Sequence, residues 1–460
     1  MTNIVLIVTD QLRADITYHE KHPFVRTPNV DRLREGSVNI PNTFSQYPIC
    51  GPSRASIVTG RYPQQHGILN NRCMLPEEER TMGHHFRDCG YDVVAFGKTH
   101  GHNPGFRRIP EPLPLHRTLG DENAGFFRGQ SMVSDSRHNN EKPQPLLGVF
   151  DHPRETHYDY IINEQVKQFL SDRDPHRPFL LWVGYHTPHP PLFPPRHLAN
   201  LYPPGEIELP FVPEDEHTTK PVMQRRSGRF WRQMPPETRQ EMIAAYLQLI
   251  THVDECFGIL LNILEESDVL DDTVIVFTSD HGEQLGEHNM IGKLNSFYEG
   301  SLRVPMIFRL PESAHAGLEL QQLTELIDLY PTICDLAGVS KPLSLSGKSL
   351  APLFANPDAV HREHINAMLV DSRASAVSAV GSREPISRGQ LVRTERWKLA
   401  VYAGDRGELY DLQNDPEELN NLFDDPAHRE IKQQLYQRMV EHMLIYTRDP
   451  TGYGYNLFPA

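Results

Sequence analysis

A chain of 460 residues is long enough for a large core and two domains, and 38% hydrophobic with 23% charged residues is an ordinary soluble balance. The formal net charge of −15, with no long run of one sign, repels polyanions and excludes nucleic acid as a partner. Cysteines at 50, 73, 89, 256 and 334 are odd in number and form no C-x-x-C pair, which fits a reducing compartment, the cytoplasm, better than a disulfide framework.

The N-terminus passes straight into the apolar run Ile4–Val8, without a charged segment and long apolar stretch ahead of it, so no secretory leader is expected. No stretch reads as long enough to span a bilayer, and no membrane partner is expected. Ile4–Val8 reads as a buried parallel strand followed by Thr9-Asp10-Gln11. Next comes Cys50-Gly51-Pro52-Ser53-Arg54-Ala55-Ser56-Ile57-Val58-Thr59-Gly60-Arg61. Pro52 suits a first helical turn and Gly60 its stop, which puts Cys50 at a helix N-terminus, where free N–H groups favour an anion. Arg54 lies one short turn on and can point back to the same place. A lone cysteine is ordinarily a buried structural one, but that does not account for the Pro, Ser and Arg at these offsets.

Val93–Phe96 is a second strand, followed by Gly97-Lys98-Thr99-His100. Residues 101–155 are rich in Pro, Gly, His and Arg and read as an excursion from the core. Phe179–Val183 is a third strand, followed by Tyr185-His186-Thr187-Pro188-His189, and residues 186–236 form a second Pro-rich excursion of the kind that rims a site. Within it Arg225, Arg226, Arg229 and Arg232, with Phe230 and Trp231, read as a basic and aromatic loop, a solvated face slightly ahead of a rim for an anionic or aromatic substrate. Residues 238–264 carry Met242, Tyr246, Leu249, Val253, Phe257, Leu260 and Leu264 on one helical face. Val274–Phe277 is followed by Thr278-Ser279-Asp280-His281, and Val304–Phe308 reads as a further parallel strand. After Phe354 the pattern changes: Leu391–Val401 alternates, Glu408–Leu412 follows a turn, and 426–444 reads as a helix.

Strand–helix alternation implies an α/β fold with a doubly wound, mostly parallel sheet over residues 1–355. A smaller C-terminal α+β domain, a four-stranded antiparallel sheet with a helix, is expected over 356–460. In such sheets ligands sit beyond the carboxyl ends of the strands, and four strand ends here deliver acids, a lysine and histidines to one edge. Asp10 and Asp280 could each be a helix N-cap, but two at adjacent strand ends favour a metal.

C-x-P-S-R followed by T-G resembles the signature of the type I, formylglycine-dependent sulfatases of the alkaline phosphatase superfamily. Asp10, Gly97-Lys98-Thr99-His100, Pro188-His189, Asp280-His281 and Lys293 fall where that family has its site residues. Thr394-Glu395-Arg396-Trp397-Lys398-Leu399 and Glu408-Leu409-Tyr410-Asp411-Leu412 resemble its C-terminal domain. The resemblance implies oxidation of Cys50 to formylglycine by a dedicated formylglycine-generating enzyme. It implies one divalent metal on Asp10, Gln11, Asp280, His281 and the modified Cys50, with calcium first and manganese second. Two positions depart from the pattern: Gln11 stands where many sulfatases have a second acid, and His281 where many have Asn. The implied catalytic set is Cys50, Arg54, Lys98, His100, His189 and Lys293. A hydrate hydroxyl at position 50 attacks sulfur, Lys98 and Lys293 neutralise sulfate oxygens, His189 protonates the departing oxygen and His100 takes the proton that restores the aldehyde. The expected substrate is a small sulfate monoester of an aryl, alkyl or sugar alcohol. A formylglycine-dependent phosphonate monoester hydrolase or phosphodiesterase is the alternative, and an inactive binding protein on the same scaffold the remote one. A homo-oligomer is left open.

Overall fold

The computed structural model describes residues 2–100, 104–109, 147–293, 295–370 and 388–447. Among these, the strands before residue 330 are β1 (Asn3–Asp10), β2 (Val38–Asn39), β3 (Thr43–Phe44), β4 (Asp92–Gly97), β5 (Arg107–Arg108), β6 (Phe179–Pro188), β7 (Thr273–Ser279), β8 (Arg303–Val304), β9 (Met306–Arg309) and β10 (Thr324–Glu325). The longer helices are α1 (Pro28–Glu35), α2 (Cys50–Thr59), α3 (Tyr158–Asp172), α4 (Val222–Arg232), α5 (Pro236–Glu266) and α6 (Leu329–Ala337).

A seven-stranded sheet runs β2-β9-β7-β1-β6-β4-β5, with β1 parallel to both β6 and β7 and β4 parallel to β6. Both faces are covered, which is why β1 reads as an unbroken apolar run. Val5 and Ile7 face a layer holding α3 and α5; Ile4, Leu6 and Val8 face the opposite layer with α2 and α6. The expected doubly wound α/β architecture is present.

The segment Val304–Phe308 is not one parallel strand. It divides at Pro305, where the chain has no N–H to give a ladder. β8 joins a small sheet with β3 and β10, and β9 pairs antiparallel with β7. Residues 225–232 are not a loop but the end of α4, with Trp231 buried and Arg225, Arg226, Arg229 and Arg232 exposed, so the solvated face is the arginine side of a helix. α5 is longer than its predicted 238–264 and, by length and composition, apolar enough to cross a membrane. It corrects the expectation that no such stretch exists, yet 83% of its most apolar window is buried in the fold. Most of the 101–155 excursion lies outside the described residues.

The C-terminal part forms an antiparallel sheet in the order β11 (His364–Val370), β12 (Arg388–Thr394), β13 (Trp397–Tyr402) and β14 (Glu408–Asp411), followed by α7 (Arg429–Ile445). One face packs Val392, Leu399 and Leu409 against Leu435 and Met439 of α7. The other sets Leu391, Ala400 and Tyr402 against Phe44, Tyr47 and Phe297 of the larger unit.

Candidate active site

The carboxyl ends of β1, β4, β6 and β7 supply Asp10, Lys98, His189 and Asp280, and the N-terminus of α2 supplies Cys50. Ile49 is extended at φ −143° and α2 begins at Cys50, ending at Gly60, whose φ of 63° is the left-handed conformation glycine tolerates. Asn71 Oδ1 accepts the Gly51 N–H at 2.8 Å and Ser53 Oγ donates to the Asp280 carbonyl at 2.6 Å, so the helix start is pinned to the end of β7.

Arg54 is fully buried and holds three segments together. Its Nε donates to Asp280 Oδ2 at 2.7 Å, one terminal nitrogen to Asp10 Oδ2 at 3.2 Å and the other to the Lys98 carbonyl at 2.6 Å. Trp182 Nε1 donates to the same carbonyl at 3.0 Å. Lys98 Nζ lies 2.6 Å from Asp10 Oδ2. Burial opposes ionisation of Asp10, but Lys98, His189, Arg54 and His281 outweigh it and hold its carboxyl well below the usual range.

Asp10 Oδ1 turns the other way, 3.7 Å from Cys50 Sγ, 3.8 Å from His281 Nε2 and 3.9 Å from His189 Nε2. Cys50 Sγ is 3.1 Å from His281 Nε2, and Asp280 Oδ1 is 3.6 Å from it. His281 Nδ1 donates to the Gly282 carbonyl at 2.9 Å, a tautomer inferred from the network that leaves Nε2 to the cluster. One atom each of Asp10, Cys50, Asp280 and His281 lies within 4.8 Å of the others, all buried. This donor set fits a divalent cation. Burial and Asp10 push the Cys50 thiol up, but Lys293, Lys98 and His281 bring it net below its ordinary value.

Gln11 sits at φ 72° with its N–H on Asp280 Oδ1 at 3.2 Å. Its Nε2 donates to Glu283 Oε2, and its Oε1 accepts from Lys293 Nζ at 2.6 Å. Glu283 is itself fixed by the N–H groups of Leu285 at 2.9 Å and Gly292 at 2.5 Å. The amide therefore presents its oxygen, not its nitrogen, towards Lys293. His189 Nδ1 donates to the Pro190 carbonyl at 2.6 Å, aiming Nε2 at Asp10. Burial, Lys293 and Lys98 hold its imidazolium well below the ordinary range. His100 stands two residues beyond Lys98, at φ 55°.

Against this geometry, the sulfatase family profile matches residues 2–339. The chain belongs to the sulfatase family. A second profile, described as the N-sulphoglucosamine sulphohydrolase C-terminal region, matches residues 286–444 of this sulfatase. It is 28% identical to the multifunctional alkaline phosphatase superfamily protein PehA of Trinickia caryophylli, over 96% of this chain and 95% of that one. It is 29% identical to a choline-sulfatase of Rhizobium meliloti, over 92% of this chain and 83% of the relative. The solved phosphonate monoester hydrolase of Silicibacter pomeroyi superposes with a TM-score of 0.81 at 25% identity, covering 99% of this chain and 97% of that one.

Sequence reasoning missed Glu283, Asn71 and His186. Glu283 and Asn71 act on residues 272 and 20 positions away, and no local spacing announces them. His186 carries no motif of its own, yet its half-buried ring stands beside the site, where desolvation, Lys98 and Arg54 hold its imidazolium well below the ordinary range.

Proposed function

We propose that this sulfatase hydrolyses a small sulfate monoester, with position 50 working as formylglycine. The reading is carried by one observation. Cys50 opens α2 within reach of His281 and Asp10, while Arg54, Lys98 and Lys293 bring positive charge to a chain whose net charge is −15.

Asp10, Asp280, His281 and the modified residue 50 would hold one divalent cation; the Gln11 oxygen, the remaining expected ligand, is taken by Lys293 Nζ. Calcium stands first on the oxygen donors and manganese second on the imidazole. When bound, the ion supplies Lewis-acid charge beside residue 50. As a hydrated aldehyde, residue 50 supplies a hydroxyl nucleophile and a second hydroxyl whose proton, once removed, lets the aldehyde return. Arg54 pairs with Asp10 and Asp280 and holds both carboxylates in place. Lys98 and Lys293 are the cations available to the sulfate oxygens as charge moves to the leaving oxygen. His189 Nε2 faces the same centre and donates to that oxygen. The two lysines hold its protonated form down, and an anionic ester that offsets them favours loading the proton. His100 takes the proton of the second hydroxyl.

The second reading, a phosphonate monoester hydrolase or phosphodiesterase with the same nucleophile, draws on Gln11, His281 and the fold match to the Silicibacter enzyme. Lys98-Thr99-His100 favours the sulfatase. Matched 4-nitrophenyl sulfate, phenylphosphonate and phosphodiester on one preparation separate them, with sulfate expected to give the highest kcat/KM. A clear preference for either phosphorus ester overturns the first reading. Mass spectrometry of the peptide spanning residue 50, on the same batch, should show the aldehyde; full activity from wholly unmodified cysteine would remove it from the mechanism. The same reading takes a formylglycine-generating enzyme as maturation partner and the cytoplasm as location. No disulfide joins the five cysteines. It assigns no nucleic-acid or membrane partner, and a homo-oligomer is a matter for sedimentation.

A further inference from the structure

We propose that Asp159 is a positioning residue that fixes the turn at the end of β6 and so aims His189 at the leaving oxygen. The inference rests on the proton-donor role proposed for His189.

The pairing of β1 with β6 is irregular where it reaches the site. Val8 pairs with Gly184 and Asp10 with Pro188, so Tyr185, His186 and Thr187 stand opposite Thr9 alone. Such a bulge takes backbone groups out of the ladder, and a buried N–H must then find another acceptor. Asp159, in the first turn of α3, is that acceptor. Its Oδ1 takes the His186 N–H at 2.9 Å and its Oδ2 the Thr187 hydroxyl at 2.6 Å. The His186 carbonyl in turn accepts the His189 N–H at 3.2 Å. Three links therefore run from the carboxylate to the backbone that carries the catalytic imidazole.

Asp159 is itself held from behind. It is fully buried, with His252 Nε2 of α5 3.8 Å from Oδ2. That imidazole lies 3.1 Å from His157 Nδ1, and His157 caps α3 by accepting the Asp159 N–H at 3.3 Å. Both histidines are kept uncharged by burial, so among the described residues no buried counter-ion touches the carboxylate. The positive charge it feels comes from Lys98. The carboxylate oxygens are thus available to the two β6 donors, and its rigid surroundings on α3 and α5 make it an anchor rather than a follower. An amide at this position would set an N–H against one of those donors and release the turn.

The full-length enzyme tests this through the leaving group. Proton donation matters more for a basic leaving oxygen than for an acidic one. Asp159→Asn, and Thr187→Val in case the first does not fold, should lower kcat for phenyl sulfate by at least about tenfold, on the scale of a misplaced general acid. 4-Nitrophenyl sulfate should suffer less, with KM and metal content near wild type. His189→Ala should show the same bias, and Asp159→Asn should add nothing on top of it. Equal losses on both esters, or losses that add to His189→Ala, overturn the proposal. Loss of bound metal on Asp159→Asn also overturns it, and assigns the His157–Asp159–His252 group to an ion instead. A wild-type enzyme that prefers phosphonates sinks only the sulfate reading, and the same pair of leaving groups on aryl phosphonates then carries the test.

Discussion

Arg54 joins the ends of β1, β4 and β7 through one guanidinium, and Asp10 and Asp280 are its only ion-pair partners among the described residues. All three side chains are wholly buried. Removing one partner of such a set strands charge in a low dielectric, typically at about 3–5 kcal/mol. Asp280→Ala should therefore lower stability by roughly 3 kcal/mol as well as removing metal and activity. Asp280→Asn retains an acceptor for Arg54 Nε and should lose metal with a much smaller stability change. Urea unfolding and elemental analysis of the two variants check this, and full metal content in Asp280→Asn would take Asp280 out of the ligand set. At this scale Cys50, Arg54, Lys98, Asp10 and Asp280 were legible because each sits in a short run whose neighbours restrict its purpose. Glu283 and Asp159 were not, because their work is done on backbone and amide groups brought near only by the completed sheet.

The strands β4 and β6 meet at a pair of glycines, and the site depends on that closeness. A Cβ on Gly184 would lie 2.1 Å from the Lys98 carbonyl oxygen, and one on Gly97 2.3 Å from the Gly184 carbonyl oxygen. The Lys98 carbonyl is the acceptor shared by Arg54 and Trp182. Gly184→Ala must push that peptide away, at about 1–3 kcal/mol of overpacking. Because Lys98 moves with it, kcat/KM should fall about a hundredfold, as expected for an ångström of misplacement. Activity and urea midpoint measured together distinguish this from simple unfolding; an active, merely less stable variant would detach the Lys98 backbone from catalysis. The parallel strands themselves were legible as apolar runs, since burial on both faces leaves no alternation. The direction of β9 was not, because a buried run reads the same either way. Nor was α4, whose exposed arginines hide a helix anchored by Trp231.

Across the whole molecule, buried titratable groups of opposite sense shape the response to acid. Burial holds His157 and His442 at about 3 and His252 well below its ordinary value. Unfolding returns them to about 6.5, so between these limits only the unfolded chain takes up their protons and stability falls with pH. Asp159 and Asp254, raised by burial to about 6, act in reverse. Between about 6 and about 4 the folded chain binds their protons first, and stability rises as pH falls. Below that range the carboxyls are spent, while Glu299, held at about 2 by Arg393 and Lys398 despite its burial, adds to the loss. Because the depressed histidines, His186 and His189 among them, outnumber the two raised aspartates, the thermal midpoint should fall gently from pH 6.5 to about 4.5 and steeply below about 4. A decline as steep above about pH 4.5 as below it would mean that the two aspartates titrate normally. The order of the chain adds a further consequence at this scale. α5 carries the hydrophobicity of a membrane-spanning segment. Yet its main partners, α1, α3 and β6, all precede it in sequence. During synthesis the ribosome therefore delivers this sticky helix after the elements that cover most of it, so its apolar face has partners of its own chain to meet as it emerges, ahead of a bilayer or another nascent chain.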